Sequence, residues 1–408
     1  MSDTDKQPFL ESATLKLILG FIVGAAMGGL PSMAFSPLTP FFAAEFALTE
    51  AQIGLVATAM GAGSLVCSLP AGKLVDERGS RGILLAVTAV TVGLLMAMSL
   101  TNELLLLLAV YFVAGSLRPF SAVASTKATM TSVPVNRRAT SVGLVHAGPS
   151  LSSAIVSALI PVLAVMLGWR LGIRVVAVAL LPAGWWLYRT LPKGPSLRRP
   201  DRDSRAILVS VLTGPGFRHS LIVWVSYMGA LFVFLTFFVL YLTQELGFDP
   251  TTAGFLMAVV QTAAIVGRPL WGVASDRFLE GSMHRAALLM SIASTAVLVI
   301  LALLPDSTHP AVVAVVALVA GASLMSSRPV GTTLAVQLLS DEDTARALSI
   351  LSLVTWVAAM LFPPLFGLIV TTTGSWRLAW MLAASVVGVS VPVLLFLRPD
   401  ESVAGKHP

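Results

Sequence analysis

The feature of this sequence that most constrains its fold is a series of apolar stretches, each of about 20 residues. A helix of that length crosses roughly 30 Å of hydrocarbon and satisfies its own backbone hydrogen bonds there. Twelve such stretches occur, six on either side of a polar segment, with these approximate bounds: 15–38, 51–72, 82–101, 104–128, 139–166, 170–190, 219–243, 252–274, 285–304, 310–334, 347–370 and 377–397. The sequence therefore predicts an all-α membrane protein with twelve transmembrane helices.

The composition agrees with a membrane protein and excludes several other classes. Only 11% of the residues are charged, against roughly 25% in soluble domains, and the mean hydropathy is +0.88. These values exclude a soluble enzyme, a disordered protein and a nucleic-acid binder. Cys67 is the single cysteine, so no disulfide within the chain and no thiolate metal site is possible.

The distribution of basic residues predicts the orientation in the membrane. If the N-terminus is cytoplasmic, 19 Lys and Arg residues fall in inside segments, whereas only Arg170 and Arg377 fall in outside loops. This asymmetry follows the positive-inside rule. We therefore expect both termini to be cytoplasmic, the first span to be retained rather than cleaved, and the protein to reside in the cytoplasmic membrane.

An internal repeat divides the chain into two halves. Gly54, Gly72 and Asp76 recur 200 positions later as Gly254, Gly272 and Asp276, and three dipeptides recur at offsets of 207 to 210. Parallel repeats of six helices are typical of carriers whose substrate site lies between two bundles. We expect an N-terminal bundle over 1–190, a cytoplasmic linker over 191–218 and a C-terminal bundle over 219–408, related by pseudo-symmetry.

The segment after the second span, Gly72-Lys-Leu-Val-Asp-Glu-Arg-Gly-Ser-Arg81, resembles the loop signature of the major facilitator superfamily. The resemblance extends over essentially the whole chain and implies a conformational latch at the cytoplasmic face. The latch residues it implies are Gly72, Asp76, Arg78, Gly79, Arg81, Gly272, Asp276 and Arg277. Glu77 departs from the signature, which has a basic residue there. A simple topology signal is the alternative interpretation.

The fifth span contains Gly143, Gly148 and Pro149, similar to the family's antiporter-associated motif, although serines replace its glycine pair. We interpret these residues as a packing and hinge element, because small residues let helices approach closely. His146 is the one histidine inside a span. It is a candidate proton site, and a structural hydrogen bond is the alternative.

The charges inside the spans are all positive. The 20 acidic residues lie in termini, loops or span edges, whereas five basic residues lie within spans: Arg118, Lys127, Arg174, Arg268 and Arg328. A basic residue at the bilayer centre costs about 2.5–3.5 kcal/mol and usually faces a cavity. No carboxylate within the spans is available to pair with them, and Lys127 and Arg174 lie near a membrane face, so we expect these two to reach the interface. For the others, the cargo is a candidate source of the missing negative charge.

Three arginines and a glutamine are candidate substrate-binding residues. The segment around Arg268 resembles the eighth span of oxalate/formate and monocarboxylate carriers, in which the matching arginine binds substrate, and Gln261 lies two turns earlier on the same face. Bonding to backbone at Pro269 is the alternative for Arg268. The resemblance also places Arg118 and its repeat partner Arg328 at the cavity, with helix-backbone bonding as the alternative for Arg118.

The seventh span carries a mainly aromatic stripe: Trp224, Tyr227, Leu231, Phe234, Phe238 and Tyr241. This spacing forms one helix face, and a packing surface is one interpretation. The resemblance places the span at the cavity, where Tyr227 and Tyr241 are candidates to donate hydrogen bonds to the substrate.

These observations predict a transporter that moves a small anion, an organic carboxylate, by alternating access. Arginine suits this cargo because its planar fork binds both carboxylate oxygens. An efflux antiporter of the same superfamily is the alternative, as is a sensor without turnover. No motif of a membrane enzyme occurs, so we expect no catalysis and no cofactor. The expected partners are an anionic substrate and the lipid bilayer, with no nucleic acid, and we expect a monomer.

Overall fold

The structure is a computed structural model that describes residues 12–134, 138–192, 215–280, 282–337 and 341–396. Within these ranges the regular structure is helical. We number the α-helices in chain order, α1 to α15, as follows: Ser12–Met33, Phe35–Phe46, Glu50–Met98, Leu104–Ser132, Arg138–Leu167, Trp169–Ala179, Leu181–Thr190, Pro215–Gln244, Pro250–Phe278, Met283–Leu303, Pro310–Ala322, Ser327–Gln337, Asp341–Thr373, Trp376–Gly388 and Ser390–Phe396. A 3₁₀ turn at Leu324–Ser326 separates α11 from α12.

In the described part of the chain, 11 helices are long and apolar enough to cross a membrane. The sequence predicted twelve, and the difference arises in α3, which runs for 49 residues and includes two of the predicted stretches. Gly79 interrupts α3 with a φ of 76°, a conformation that glycine adopts without strain. The predicted terminal segments before residue 12 and after residue 396, and residues 193–214 of the predicted linker, lie outside the described residues.

Two helix starts illustrate how the repeat directs local structure. The side chain of Thr49 accepts a hydrogen bond from the Gln52 amide at the start of α3, and the Gln52 side chain completes a capping box. The carboxylate of Asp249 accepts from the amides of Thr251 and Thr252 at the start of α9. Thr49 and Asp249 are 200 positions apart, so both halves of the repeat begin this helix with a side-chain cap.

We call residues 12–192 the N-terminal part and residues 215–396 the C-terminal part. Helices α3, α5 and α2 of the first part pack against α13, α9 and α8 of the second, respectively. The closest approaches use glycine: a side-chain carbon at Gly54 would lie 2.5 Å from Pro364, and one at Gly254 would lie 2.5 Å from the Ser157 carbonyl oxygen. These glycines therefore let the two parts meet backbone to backbone.

The two parts are joined mainly at one end of the helices, which we call the Glu50 end. There the Thr371 hydroxyl donates to the Glu50 carboxylate (2.9 Å) and accepts from the Ala51 amide (3.1 Å). We call the opposite end the Asp76 end. A side-chain carbon built at Gly72 or Gly272 of that end meets nothing within 4 Å. The interface is therefore closely packed at the Glu50 end and more open around these glycines.

Candidate functional site

A cavity lies between the two parts and is lined by residues of α1, α2, α3, α4, α5, α8, α9 and α13. The space between its atoms is about 580 Å³, a volume that includes space open to solvent. Most of the wall is apolar. Its polar and charged lining residues are Ser32, Ser36, Ser64, Arg118, Ser153, Thr236 and Gln261.

Arg118 is the charged residue of the cavity wall. Its guanidinium carbon lies 5.2 Å from the centre of the Trp356 ring, a cation–π contact that reaches from α4 in the N-terminal part to α13 in the C-terminal part. The guanidinium makes no hydrogen bond or ion pair with any described residue. Its N–H groups are therefore available to a ligand.

Arg328 links Arg118 and Arg268 in one electropositive region. Arg328 is within electrostatic range of both other arginines, and Arg268 donates to the Ser150 hydroxyl of α5 at 2.7 Å. The structure thus brings together the three arginines that the sequence singled out. The Arg268–Ser150 hydrogen bond also differs from the backbone bonding at Pro269 that was the alternative.

His146 adds a titratable group to this region. It is within electrostatic range of Arg268 and Arg328, and its Nε2 lies 3.5 Å from the Thr126 hydroxyl. The residue is exposed, and the Thr126 contact connects its ring to α4. A group that gains or loses a proton here changes the charge next to two arginines.

No acidic residue neutralises these arginines in the described part of the chain. The ion pairs found there are Lys127–Asp76, Arg170–Glu45 and Arg285–Glu280, and none includes Arg118, Arg268 or Arg328. Each guanidinium carries five N–H donors, and the one hydrogen bond that the three groups make with described residues is the Arg268–Ser150 bond. This arrangement is suited to an anion, which would supply both the missing charge and the missing acceptors.

Gln261 lies on the cavity wall as the sequence predicted, with 5% of its surface exposed. Its amide makes no hydrogen bond with a described residue. Ser32 and Ser36 also line the cavity. Their hydroxyl oxygens are fully buried and have no hydrogen-bond partner in the described part of the chain. The sequence gave no signal for these two serines, because a serine in an apolar helix usually bonds to its own backbone.

The predicted latch forms a set of contacts at the Asp76 end of the N-terminal part. Asp76 accepts from the Lys127 ammonium of α4 at 2.5 Å, so a carboxylate of the loop pairs with this basic residue. Arg81 donates to the Tyr188 carbonyl oxygen at 2.8 Å and lies over the Tyr188 ring. The loop is thereby fastened to α4 and α7, on either side of the break at Gly79.

Comparison with known proteins decides the family. The chain matches the Major Facilitator Superfamily over residues 18–241 and 221–408. It belongs to this superfamily. It is 25% identical over 391 residues to the probable sulfoacetate transporter SauU of Cupriavidus necator, covering 89% of each chain. It is 23% identical over 407 residues to the hexuronate transporter of Bacillus subtilis, covering 94% of this chain and 95% of that one.

Solved structures share the fold. A bacterial homolog of the human lysosomal transporter Spinster, solved in an inward-facing and occupied conformation, aligns with a TM-score of 0.72 at 15% identity, covering 95% of this chain and 97% of that one. A mutant of the nucleoside transporter NupG aligns with a TM-score of 0.79 at 12% identity, covering 93% and 99%. The protein is therefore a multi-pass cytoplasmic membrane protein with the major facilitator fold.

The second-half copy of this superfamily's loop has fewer contacts. Asp276 and Arg277 are exposed, and neither makes an ion pair with a described residue. Arg78 of the first copy is likewise exposed. In this conformation the ion pair that fastens the loop is therefore confined to the N-terminal part.

The aromatic stripe of α8 is buried and directed away from the cavity. The Tyr227 hydroxyl lies 2.9 Å from the Ser291 hydroxyl of α10, and the Tyr241 hydroxyl donates to the Leu301 carbonyl oxygen at 2.6 Å. Neither tyrosine lines the cavity. Their hydroxyls hold α8 against α10, so the packing interpretation describes these residues better than the substrate interpretation.

The two glycines of α5 differ in how closely another helix approaches them. A side-chain carbon at Gly148 would lie 2.8 Å from the Ile22 carbonyl oxygen of α1, whereas one at Gly143 meets nothing within 4 Å. Pro149 follows Gly148 inside the same helix. The close approach at Gly148 is thus to another helix of the N-terminal part, while Ser150 makes the contact with the C-terminal part.

Proposed function

We propose that this protein transports a small organic anion across the cytoplasmic membrane by alternating access. The observation that carries the proposal is the convergence of Arg118, Arg268 and Arg328 without an acidic partner in the described part of the chain. An arginine at membrane depth is stable when an anion or a cavity compensates its charge. The cavity between the two parts offers room for that anion.

The topology that we propose has twelve spans, with α3 crossing twice around Gly79, and both termini in the cytoplasm. The chain then divides into bundles over 1–190 and 219–408 joined by the linker 191–218, and the Asp76 end faces the cytoplasm. The basic residues at that end support this orientation. Contacts such as Thr371–Glu50 then close the outside, so the structure corresponds to an inward-facing conformation.

An anion entering from the cytoplasm meets the arginines in sequence. Arg268 follows the first residue of α9 by 18 positions, whereas Arg118 follows the first residue of α4 by 14, and both helices start at the Glu50 end. At about 1.5 Å per residue, Arg268 lies roughly 6 Å nearer the cytoplasm. We infer that all three arginines bind the anion: Arg268 and Arg328 contact it first, and Arg118, with Gln261, binds it in the cavity.

The relatives support an organic anion as cargo. One is named for sulfoacetate and another for hexuronate, and both of those solutes are organic anions. An efflux antiporter that exchanges protons for cationic cargo fits less well, because the described spans contain no carboxylate beside the cavity. The contrast between anionic and cationic ligands is therefore the most useful first measurement.

A thermal-shift screen of the purified protein tests this proposal. Sulfoacetate, a hexuronate, a simple carboxylate and a quaternary ammonium cation are the probes, and we expect the melting temperature to rise with anions alone. Uptake of a labelled hit into vesicles loaded with the same unlabelled anion then measures transport. Stabilisation by the cation, with no response to any anion, would overturn the proposal.

A further inference from the structure

The cavity holds a second set of polar groups that the arginines do not account for. Ser32 and Ser36 lie four positions apart, on one face where α1 meets α2, and their exposed fractions are 8% and 6%. Both hydroxyl oxygens are fully buried and have no hydrogen-bond partner among the described residues, although both residues line the cavity. A buried hydroxyl without a partner is disfavoured unless a ligand supplies one.

The C-terminal part presents matching groups to the same cavity. Gln261 of α9 and Thr236 of α8 are 5% and 4% exposed, and neither side chain makes a hydrogen bond with a described residue. With the serines they form a neutral polar set contributed by both parts. The wall between them is apolar and includes Phe232, Leu235 and Met257.

The chemistry of this set identifies what complements it. Hydroxyl and amide groups both donate and accept hydrogen bonds, as does a hydroxyl group of a ligand. A halide or an unsubstituted fatty acid anion would leave these groups unpaired in an apolar surrounding, which weakens its binding. A ligand with a second anionic group would place that charge among neutral side chains. The anionic group would accept hydrogen bonds from them but could not donate any in return.

We propose, resting on the anion transport proposed above, that the substrate is a hydroxylated organic anion. Arg118 binds its anionic group, and Ser32, Ser36, Thr236 and Gln261 bind its hydroxyl groups. A site built to hydrogen-bond a ligand hydroxyl discriminates strongly against the analogue that lacks it. The serines thus make the site specific for a ligand with hydroxyl groups, whereas Arg118 makes it select an anion.

Gluconate and hexanoate are suitable probes, because both are six-carbon monocarboxylates and only gluconate carries hydroxyl groups. We expect the wild-type protein to bind gluconate at least tenfold more tightly than hexanoate. In Ser32→Ala/Ser36→Ala the affinity for gluconate should fall about tenfold for each hydrogen bond lost, and that for hexanoate less than twofold. The variant should melt no lower than wild type without ligand, because these hydroxyls make no internal hydrogen bond.

Ser125→Ala is the matched control. Its hydroxyl is also buried and unpaired, but Ser125 does not line the cavity, so both affinities should stay unchanged.

An equal loss of affinity for both probes in the serine double variant would overturn the inference, because it would mean that the serines bind the anionic group. Wild-type binding of hexanoate or sulfoacetate as tight as that of gluconate would also overturn it, while leaving anion transport in place. Binding of no anion at all would instead remove the proposed function.

Discussion

Arg118 and Trp356 join the two parts of the molecule across the cavity, with the guanidinium carbon 5.2 Å from the centre of the indole ring. The arginine belongs to α4 and the tryptophan to α13, so the contact changes when the parts move relative to each other. A cation–π contact of this kind is worth about 0.5–2 kcal/mol. It orients the guanidinium while leaving its N–H groups to a ligand.

Replacement of the ring tests this orientation. Trp356→Leu should weaken anion binding by roughly 3- to 30-fold, because the guanidinium loses a contact worth about 0.5–2 kcal/mol. Trp356→Phe should retain most of the affinity, because an aromatic face remains. Isothermal titration with the best anion from the screen gives both values. Equal affinities in the leucine variant and the wild type would show that the stacking does not support binding.

The ion pair between Asp76 and Lys127 leads to a prediction about turnover. Asp76→Asn removes the charge that holds the loop to α4 and should change the transport rate by about 5-fold or more through the conformational equilibrium. Ligand affinity should remain nearly constant, because Asp76 does not line the cavity. Asp276→Asn is the control, since Asp276 makes no ion pair with a described residue. The prediction fails if both variants transport at the wild-type rate.

The hydrogen bonds of Thr371 lead to a prediction about conformation. Thr371→Val removes both bonds to the N-terminal part, and at about 1 kcal/mol each their loss should shift the population toward an open Glu50 end by roughly 30-fold. Thr372→Val is the control, because Thr372 donates only to carbonyl groups of its own helix.

Spin labels at the exposed positions Leu100 and Asp306, with Cys67 replaced by serine, report this opening. Double electron–electron resonance should give longer distances in Thr371→Val than in Thr372→Val. Identical distance distributions in the two variants would mean that these bonds do not hold the Glu50 end closed.

The cap of α9 predicts a pH dependence of stability. Hydrogen bonds from the side chain and backbone of Thr252 lower the pKa of Asp249 from its ordinary value of 3.8. Its contribution to stability is thus complete above pH 3.8 and is lost as the pH falls through the lowered pKa. Asp249→Asn keeps the cap but cannot titrate, so its melting temperature should fall less between about pH 5 and pH 3.

Thr49→Asn serves as the control for the acid titration, since it exchanges one uncharged cap for another at the equivalent position of the repeat. Its acid response should match that of the wild type. An unchanged acid response in Asp249→Asn would assign the loss of stability to other groups.

Coupling is the remaining mechanistic question, because no carboxylate among the described residues borders the cavity. We expect transport by anion exchange or uniport, or with the proton carried on the substrate. In liposomes, internal anion should then accelerate uptake of a strong-acid anion, whereas a pH gradient alone should drive little. Gradient-driven accumulation that disappears in His146→Ala, with binding intact, would contradict this and identify His146 as the coupling residue.

The sequence predicted the helical membrane fold, because the length of each apolar stretch can be read from the sequence directly. The placement of the three arginines at a cavity came from the resemblance to the superfamily and its carriers. The sequence did not predict Lys127–Asp76, since that pair depends on how the loop turns at Gly79. The sequence also could not show that Tyr241 lies outside the cavity. Helical spacing identifies the residues that share one face of a helix, but it does not identify the neighbouring helix that packs against that face. Ser36 was missed because only the folded structure reveals an unpaired hydroxyl.

Anion binding by single-arginine variants tests the central claim most directly. Arg268→Ala and Arg328→Ala should each weaken binding of the anion by about 30-fold or more, as expected when one partner of a charge-assisted contact is removed. Lysine should restore the affinity only in part, because the planar fork is lost. Arg285→Ala is the control, since Arg285 is exposed and pairs with Glu280. Folded alanine variants at 268 and 328 that bind and transport the anion like the wild type would contradict the account.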